Sequence, residues 1–249
     1  MFSVHDSFPD QPADDATIWR YMDLARFISI LEDQALYFAS AASMSDKWEG
    51  AYGTNYVPPS KSSRYIAGAL IQESMYLSCW FVSEYESAAM WDIYQREGRG
   101  VAIRTTWGHL KHSLHTKKPI HGGLVQYVDY ETLNVNSANI LSPYNFKRKS
   151  FAHEQEARLL LWSLAEPEMT EAEEDEDRYA PYKEDGYIVM EHFVKPGFKI
   201  PVDLLDLIQS IYIAPDAQEW IKELVEQIMA RYGLTMDVIQ SDLNSGPIY

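Results

Sequence analysis

Between Phe151 and Trp162 the chain reads FAHEQEARLLLW, two acids and an arginine at alternate positions directly ahead of an apolar run. Side chains alternate along a strand, so as a strand it carries Glu154, Glu156 and Arg158 on one face and Leu159 and Leu161 on the other. As a helix, Glu154 and Arg158 are an ordinary i,i+4 surface pair worth a few tenths of a kcal/mol. The apolar extension through Leu161 favours the strand, and the basic island Lys147, Arg148, Lys149 gives it a distinct start.

A chain of 249 residues with 46% hydrophobic content has enough apolar material for one large domain. The expected architecture is α+β: a single domain over 17–249 with a mixed, split β-sheet and flanking helices. Residues 1–16, with Pro9, Pro12 and four aspartates, read as a loosely held arm. Glu166 to Asp177, EPEMTEAEEDED, carries too many like charges to pack and reads as an acidic loop.

The balance of 21 basic against 37 acidic residues, net −16, argues against extended binding of duplex DNA. No segment approaches the roughly 18 apolar residues of a membrane span, and no signal-peptide pattern is present. The single cysteine, Cys79 in LSCWFV, allows no intrachain disulfide, which fits a reducing cytoplasm and a small buried core residue.

Along the chain, TIWRYM at 17–22 reads as a strand and Asp23 as the start of a helix with Leu24, Phe27, Ile28 and Leu31 at helical spacing. Further strands are expected at 34–39, 75–82, from Val101, at 123–130, 187–194, 198–202, within SIYIAP and at 236–240. Helices are expected at 63–74, within 83–97, at 203–209 and over 216–232. The last has Trp220, Leu224 and Ile228 repeating at four, flanked by Ile221, Val225 and Met229, and Gly233 at its C-terminal cap. Asp46 and Glu49 have capping-box spacing or a site role. His109, His112 and His115 recur every three residues, but no cysteine or nearby acid completes a ligand set, so no metal is expected.

Taken together, WRYMD, LYFASAASMSDKWEG, LSCW, MWDIY, GVAIR, EQEARLLL and IYIAP resemble a bacterial family known as domain of unknown function twenty-nine seventy-one. More distantly, a strand with Arg, a helix ending ILEDQ, a strand LYFAS and a later Glu-x-Glu strand resemble ADP-ribosyltransferases. That likeness implies NAD as substrate, a macromolecular acceptor and a role as toxin or defence effector. It places Arg20 on the ribose or diphosphate of NAD, Ser40 as an orienting group, Glu156 as the catalytic carboxylate and Glu154 as base toward the acceptor. Tyr37 or Trp91 would cover the nicotinamide, and Tyr21, Tyr94 and Arg158 complete the NAD-binding set. The Ser-Thr-Ser motif of that class is missing, and Ser43 competes with Ser40. Two other readings stand beside it. One is a non-catalytic protein or nucleic-acid interaction module, its basic island binding a partner and Arg20, Glu49, Glu154, Glu156 and Arg158 forming a structural ion-pair network. The other is a metal-independent nuclease using Glu154, Glu156 and Arg158.

Overall fold

The computed structural model describes residues 1–54, 71–94, 98–133, 135, 139–163, 182–184, 187–189 and 196–246. The acidic stretch 166–177 and most of the helix expected at 63–74 lie outside the described residues. Strands are β1 (Thr17–Asp23), β2 (Ala35–Ser40), β3 (Met75–Val82), β4 (Gly100–Thr106), β5 (His121–Leu124), β6 (Gln126–Val128) and β7 (Phe146–Arg148). They continue as β8 (Glu156–Trp162), β9 (Tyr182–Glu184), β10 (Tyr187–Val189), β11 (Gly197–Pro201), β12 (Ser210–Ile213) and β13 (Asp237–Gln240). Helices are α1 (Leu24–Asp33), α2 (Ala88–Tyr94), α3 (Trp107–Ser113), α4 (Leu204–Leu207) and α5 (Glu219–Arg231).

Nine strands make one sheet in the order β11-β2-β3-β1-β4-β12-β13, with β8 on the other edge of β3 and β5 beyond β8. Every pairing is antiparallel except β12 with β13. The domain is therefore α+β on a large mixed sheet. Its defining irregularity is at β3. One edge of β3 pairs continuously with β8 from Met75 to Phe81. Its other edge is shared: β2 takes Tyr76 and Leu77, and β1 takes Phe81 and Val82. Between them, at Ser78 to Trp80, the sheet forks.

The fork is built from local signals. Asp23 ends β1 and caps α1, its carboxylate accepting from the Arg26 N–H at 2.9 Å. Helix α1 then buries Phe27, Ile30 and Leu31 and stops at Gln34, which takes a left-handed conformation with φ 46°. The chain returns as β2 in the same direction as β1, so the two strands meet β3 at different heights.

On one face, α1 and α5 cover the core made by Ile18, Trp80, Ile103, Leu159 and Ile211. Helix α5 turns Ile221, Val225 and Met229 inward, while Trp220 is half exposed and its indole donates to the Gln218 side chain at 2.7 Å. The buried stripe thus lies one position on from the Trp220–Leu224–Ile228 repeat. Each buried aliphatic of this size contributes about 1.5–3 kcal/mol, and the three join the same core as Ile211 and Ile213 of β12. Gly233 ends the helix with φ 72°.

Three further expectations are corrected. Residues 1–16 are a strap and not a loose arm: the terminal amine donates to the Thr116 and Lys118 carbonyls at 2.6 and 2.8 Å, the Ser3 N–H donates to the Ile120 carbonyl, and Phe8 is fully buried. The segment 123–130 breaks at Val125 into β5 and β6, because β5 pairs with β8 whereas β6 pairs in parallel with β7. Asp46 and Glu49 lie in a turn, not a helix, and are buried against arginines from elsewhere.

Candidate active site

At the fork, three residues of β3 lack a strand partner on one edge, and Arg20 fills the gap. It is the first β1 residue past the β1–β3 pairing, and its guanidinium donates to the Ser78 hydroxyl at 2.8 Å and the Tyr37 carbonyl of β2 at 3.0 Å. It lies 5.5 Å from the Trp80 ring centroid, whose indole N–H also donates to Ser78 at 3.1 Å. One side chain therefore ties together all three strands of the fork. Burial pulls the Arg20 guanidinium down to about 10, which leaves it charged at neutral pH.

FAHEQEARLLLW divides in two. Lys149 to Glu154 form a 3-10 turn, Gln155 reverses the chain with φ 38°, and the strand begins at Glu156. Glu156 and Arg158 share a face of β8, as alternation predicts, while Glu154 reaches the same place from the turn. Arg158 is fully buried. It donates from Nε to Glu156 Oε1 at 2.8 Å and from Nη1 to Glu49 and to the Tyr144 carbonyl at 2.8 Å. Lys147 Nζ bonds Glu156 Oε2 at 3.1 Å and also Glu154. The Glu156 N–H donates to the Tyr127 hydroxyl at 2.8 Å. Burial alone would raise the Glu156 carboxyl, but Arg158 and then Lys147 outweigh it and hold it at about 2. Glu156 is a carboxylate at any physiological pH. Burial pushes Glu49 the other way, above its ordinary value, although Arg158 opposes this.

Above the fork is a cleft of about 370 Å³, lined by Arg20, Tyr21, Tyr37, Tyr94, Glu154 and Glu156 among others. Its volume lies in the range of about 300–1,000 Å³ that small-molecule sites occupy. Tyr37 and Tyr94, both on the cleft lining, keep 41% and 36% of their surface exposed. Burial, with Cys79, Glu154 and Glu156 nearby, pushes the Tyr94 phenol up to about 12, leaving it a neutral donor. The lining also includes Arg26, Ser29 and Asp33 of α1 and Lys199 of β11.

Six of the nine sequence-derived candidates thus line one cleft, and the other three sit behind it. Ser40 is buried at the end of β2, where its hydroxyl accepts from the Ala42 N–H at 3.3 Å. Trp91 is buried, packs edge-on against Tyr21 at 4.9 Å and donates its indole N–H to Glu86 at 2.9 Å. Arg158 acts on the cleft only through Glu156. The ion-pair network is also present, without Arg20 and with Lys147 added.

Three site residues escape the sequence reading. Ser78 is the small polar residue in MYLSCWFV that makes room for the guanidinium. Cys79, read as core, lines the cleft; burial first and Glu156 second push its thiol well above the ordinary value, so it is a neutral thiol. Lys147 belongs to the basic island, whose placement directly before Glu-x-Glu was the available signal. The island is not a free patch, since Lys147 is spent on the two glutamates and Arg148 on Asp46 at 2.7 Å. Among the described residues no group of three His, Cys, Asp or Glu is placed to hold a metal. Nor is any described helix long and apolar enough to cross a membrane.

Fold and site together define an α+β domain with a forked sheet and, at the fork, a cleft lined by both acids and cations. No family model matches the chain and no curated protein matches it, so the resemblance to domain of unknown function twenty-nine seventy-one rests on its motifs alone. Solved structures of Thermus sp. 2.9 DarT are similar to it over most of both lengths. The complex with carba-NAD+ has 10% identity and a TM-score of 0.39 over 92% of this chain and 97% of that one. The complex with NAD+ has 8% identity and a TM-score of 0.37 over 93% and 97%. The complex with ADP-ribosylated ssDNA has 8% identity and a TM-score of 0.40 over 93% and 96%. What the cleft can do follows from its own residues.

Proposed function

We propose that this protein binds NAD in the cleft at the sheet fork and transfers its ADP-ribose unit to a macromolecular acceptor. The observation that carries this reading is the convergence of Arg20, Tyr37, Tyr94, Glu154 and Glu156 on one cleft. In such a transfer the bond from ribose C1′ to the pyridinium nitrogen breaks. Its electron pair leaves with neutral nicotinamide, and positive charge spreads over C1′ and the ring oxygen. A fixed carboxylate beside that charge stabilises the transition state, as in glycoside hydrolysis. Glu156 is ionised and held by two cations, so it meets the need without reorganising. The acceptor then bonds to C1′ and passes its proton to Glu154. Arg20 supplies charge-assisted hydrogen bonds to ribose or diphosphate, and Tyr37 or Tyr94 covers the nicotinamide ring.

The test is nicotinamide release and transfer of labelled ADP-ribose to offered protein, DNA or RNA. Wild-type protein should turn NAD over, and Glu156→Gln should lose at least about a hundredfold in rate, the scale of a deleted electrostatic stabiliser. Since Glu156→Gln also strips a partner from Lys147 and Arg158, Tyr94→Ala is measured beside it, with thermal unfolding on both. A folded Glu156→Gln protein with an unaltered rate would sink the proposal. A toxin or defence role, and action in the cytoplasm, belong to the same proposal. They predict that induced expression of wild-type protein, but not Glu156→Gln, arrests growth of a bacterial host.

A further inference from the structure

Two cations hold Glu156, and they are not equivalent. Arg158 is two residues along the same strand and is locked by Glu49 and the Tyr144 carbonyl. Lys147 comes from the three-residue strand β7, sits next to Tyr127 in the β6–β7 register, and keeps 11% of its side chain exposed. Its ammonium lies 5.1 Å from the Phe151 ring centroid and bonds both Glu154 and Glu156. Both of those acids line the cleft; Lys147 and Arg158 do not.

We propose that Lys147 is a positioning residue for the reaction in this cleft: its ammonium aims and charges the Glu156 carboxylate while binding Glu154, so that the two acids act as a linked pair. This rests on the NAD reading of the cleft. The groups facing Glu156 are Cys79 on β3, Tyr94 on α2, Tyr127 on β6, Lys147 on β7, Glu154 on the turn before β8, Arg158 on β8 and, through Arg158, Glu49. Burial pushes the Tyr94 and Tyr127 phenols up to about 12 and the Cys79 thiol higher than usual, so none of these three carries charge at neutral pH. The cluster is then three carboxylates against two cations. Removing Lys147 leaves three acids and one cation, Arg158, which bonds Glu156 and Glu49 but not Glu154. Glu154 then loses its cation and Glu156 keeps Arg158 alone, so the carboxylate that faces the ribose charge is held from one side only and the two acids are no longer linked.

The experiment compares wild-type protein, Lys147→Met and Lys147→Arg. It reads the pH profile of NAD turnover, thermal stability, and carboxyl ¹³C titration of protein labelled in its glutamate side chains. The methionine variant should move the acid limb of kcat/KM and a glutamate carboxyl midpoint upward together, by about one to three pH units, the effect of an adjacent opposite charge. Its KM for NAD should change little, and Lys147→Arg should restore both midpoints. A Lys147→Met protein that is merely less stable, with both midpoints unmoved, overturns the inference and leaves the NAD reading intact. If wild-type protein releases no nicotinamide, the NAD reading and the kinetic half of this inference fall together. A shifted carboxyl midpoint would then still establish that Lys147 sets the charge of the acid pair.

Discussion

Arg20 donates to the Ser78 hydroxyl at 2.8 Å where β1 leaves β3, and this contact replaces the strand pairing that the fork removes. Hydrogen bonds to a charged donor are worth about 1.5–3 kcal/mol each. Ser78→Ala should lower stability by at least that amount in urea unfolding, because it strands one guanidinium N–H and the buried Trp80 indole N–H without opening a large cavity. Arg20→Met should also lower stability, since it removes the donor to the Tyr37 carbonyl and leaves the Ser78 hydroxyl only the Trp80 indole N–H, and it should weaken NAD binding by at least about tenfold in calorimetric titration, roughly 1.4 kcal/mol.

Acid should unfold this protein through Glu156. Its folded carboxyl is held at about 2 against an ordinary value of 4.5, so its stabilising share is full above about 4.5 and is lost as pH falls toward about 2. Glu49 has the opposite sign, because burial raises its carboxyl and protonation on acidification relieves that cost. Urea midpoints taken from pH 6 to pH 2.5 (about one reading per half unit) should fall steeply in wild-type protein. The slope should flatten in Glu156→Gln, which starts lower, and steepen in Glu49→Gln.

Gly197 opens β11 opposite Ala39, and a Cβ there runs into the Tyr37 ring and comes within 2.5 Å of the Phe38 carbonyl. Gly197→Ala should therefore cost about 1–3 kcal/mol by overpacking and push Tyr37 out of its place on the cleft wall. The kinetic signature is a raised KM for NAD with a smaller change in kcat.

The N-terminal strap predicts a stability loss where a loose arm would predict none. Phe8 is fully buried with Leu77 and Leu160, so Phe8→Ala should lower stability by about 3–5 kcal/mol. Val4→Ala, at an exposed strap residue, should leave the thermal midpoint unchanged.

Elements with a strong local pattern are legible in the sequence. TIWRYM, LYFAS and MYLSCWFV alternate or run apolar, Asp23 has the short acceptor a helix start needs, and Gly233 the freedom a helix end needs. Those signals depend on neighbours within a few residues. The rotation of α5 was not readable, because Trp220 and Ile221 are both apolar and only the shape of the surface beneath decides which one turns in. The strap was not readable either, since its hydrogen bonds go to backbone groups more than a hundred residues away.

The same division runs through the site. Sequence alone determined the chemical kinds present: an arginine on the first strand, a Glu-x-Glu ahead of an apolar strand, and a run of cations just before it. Only the tertiary structure decided which charges meet. It gave Arg20 to Ser78, Arg148 to Asp46, Arg158 to Glu49 and Glu156, and Lys147 to the two cleft acids. A buried charge must find a partner, but its partner is whichever opposite charge the sheet brings within reach, and spacing along the chain does not encode that distance.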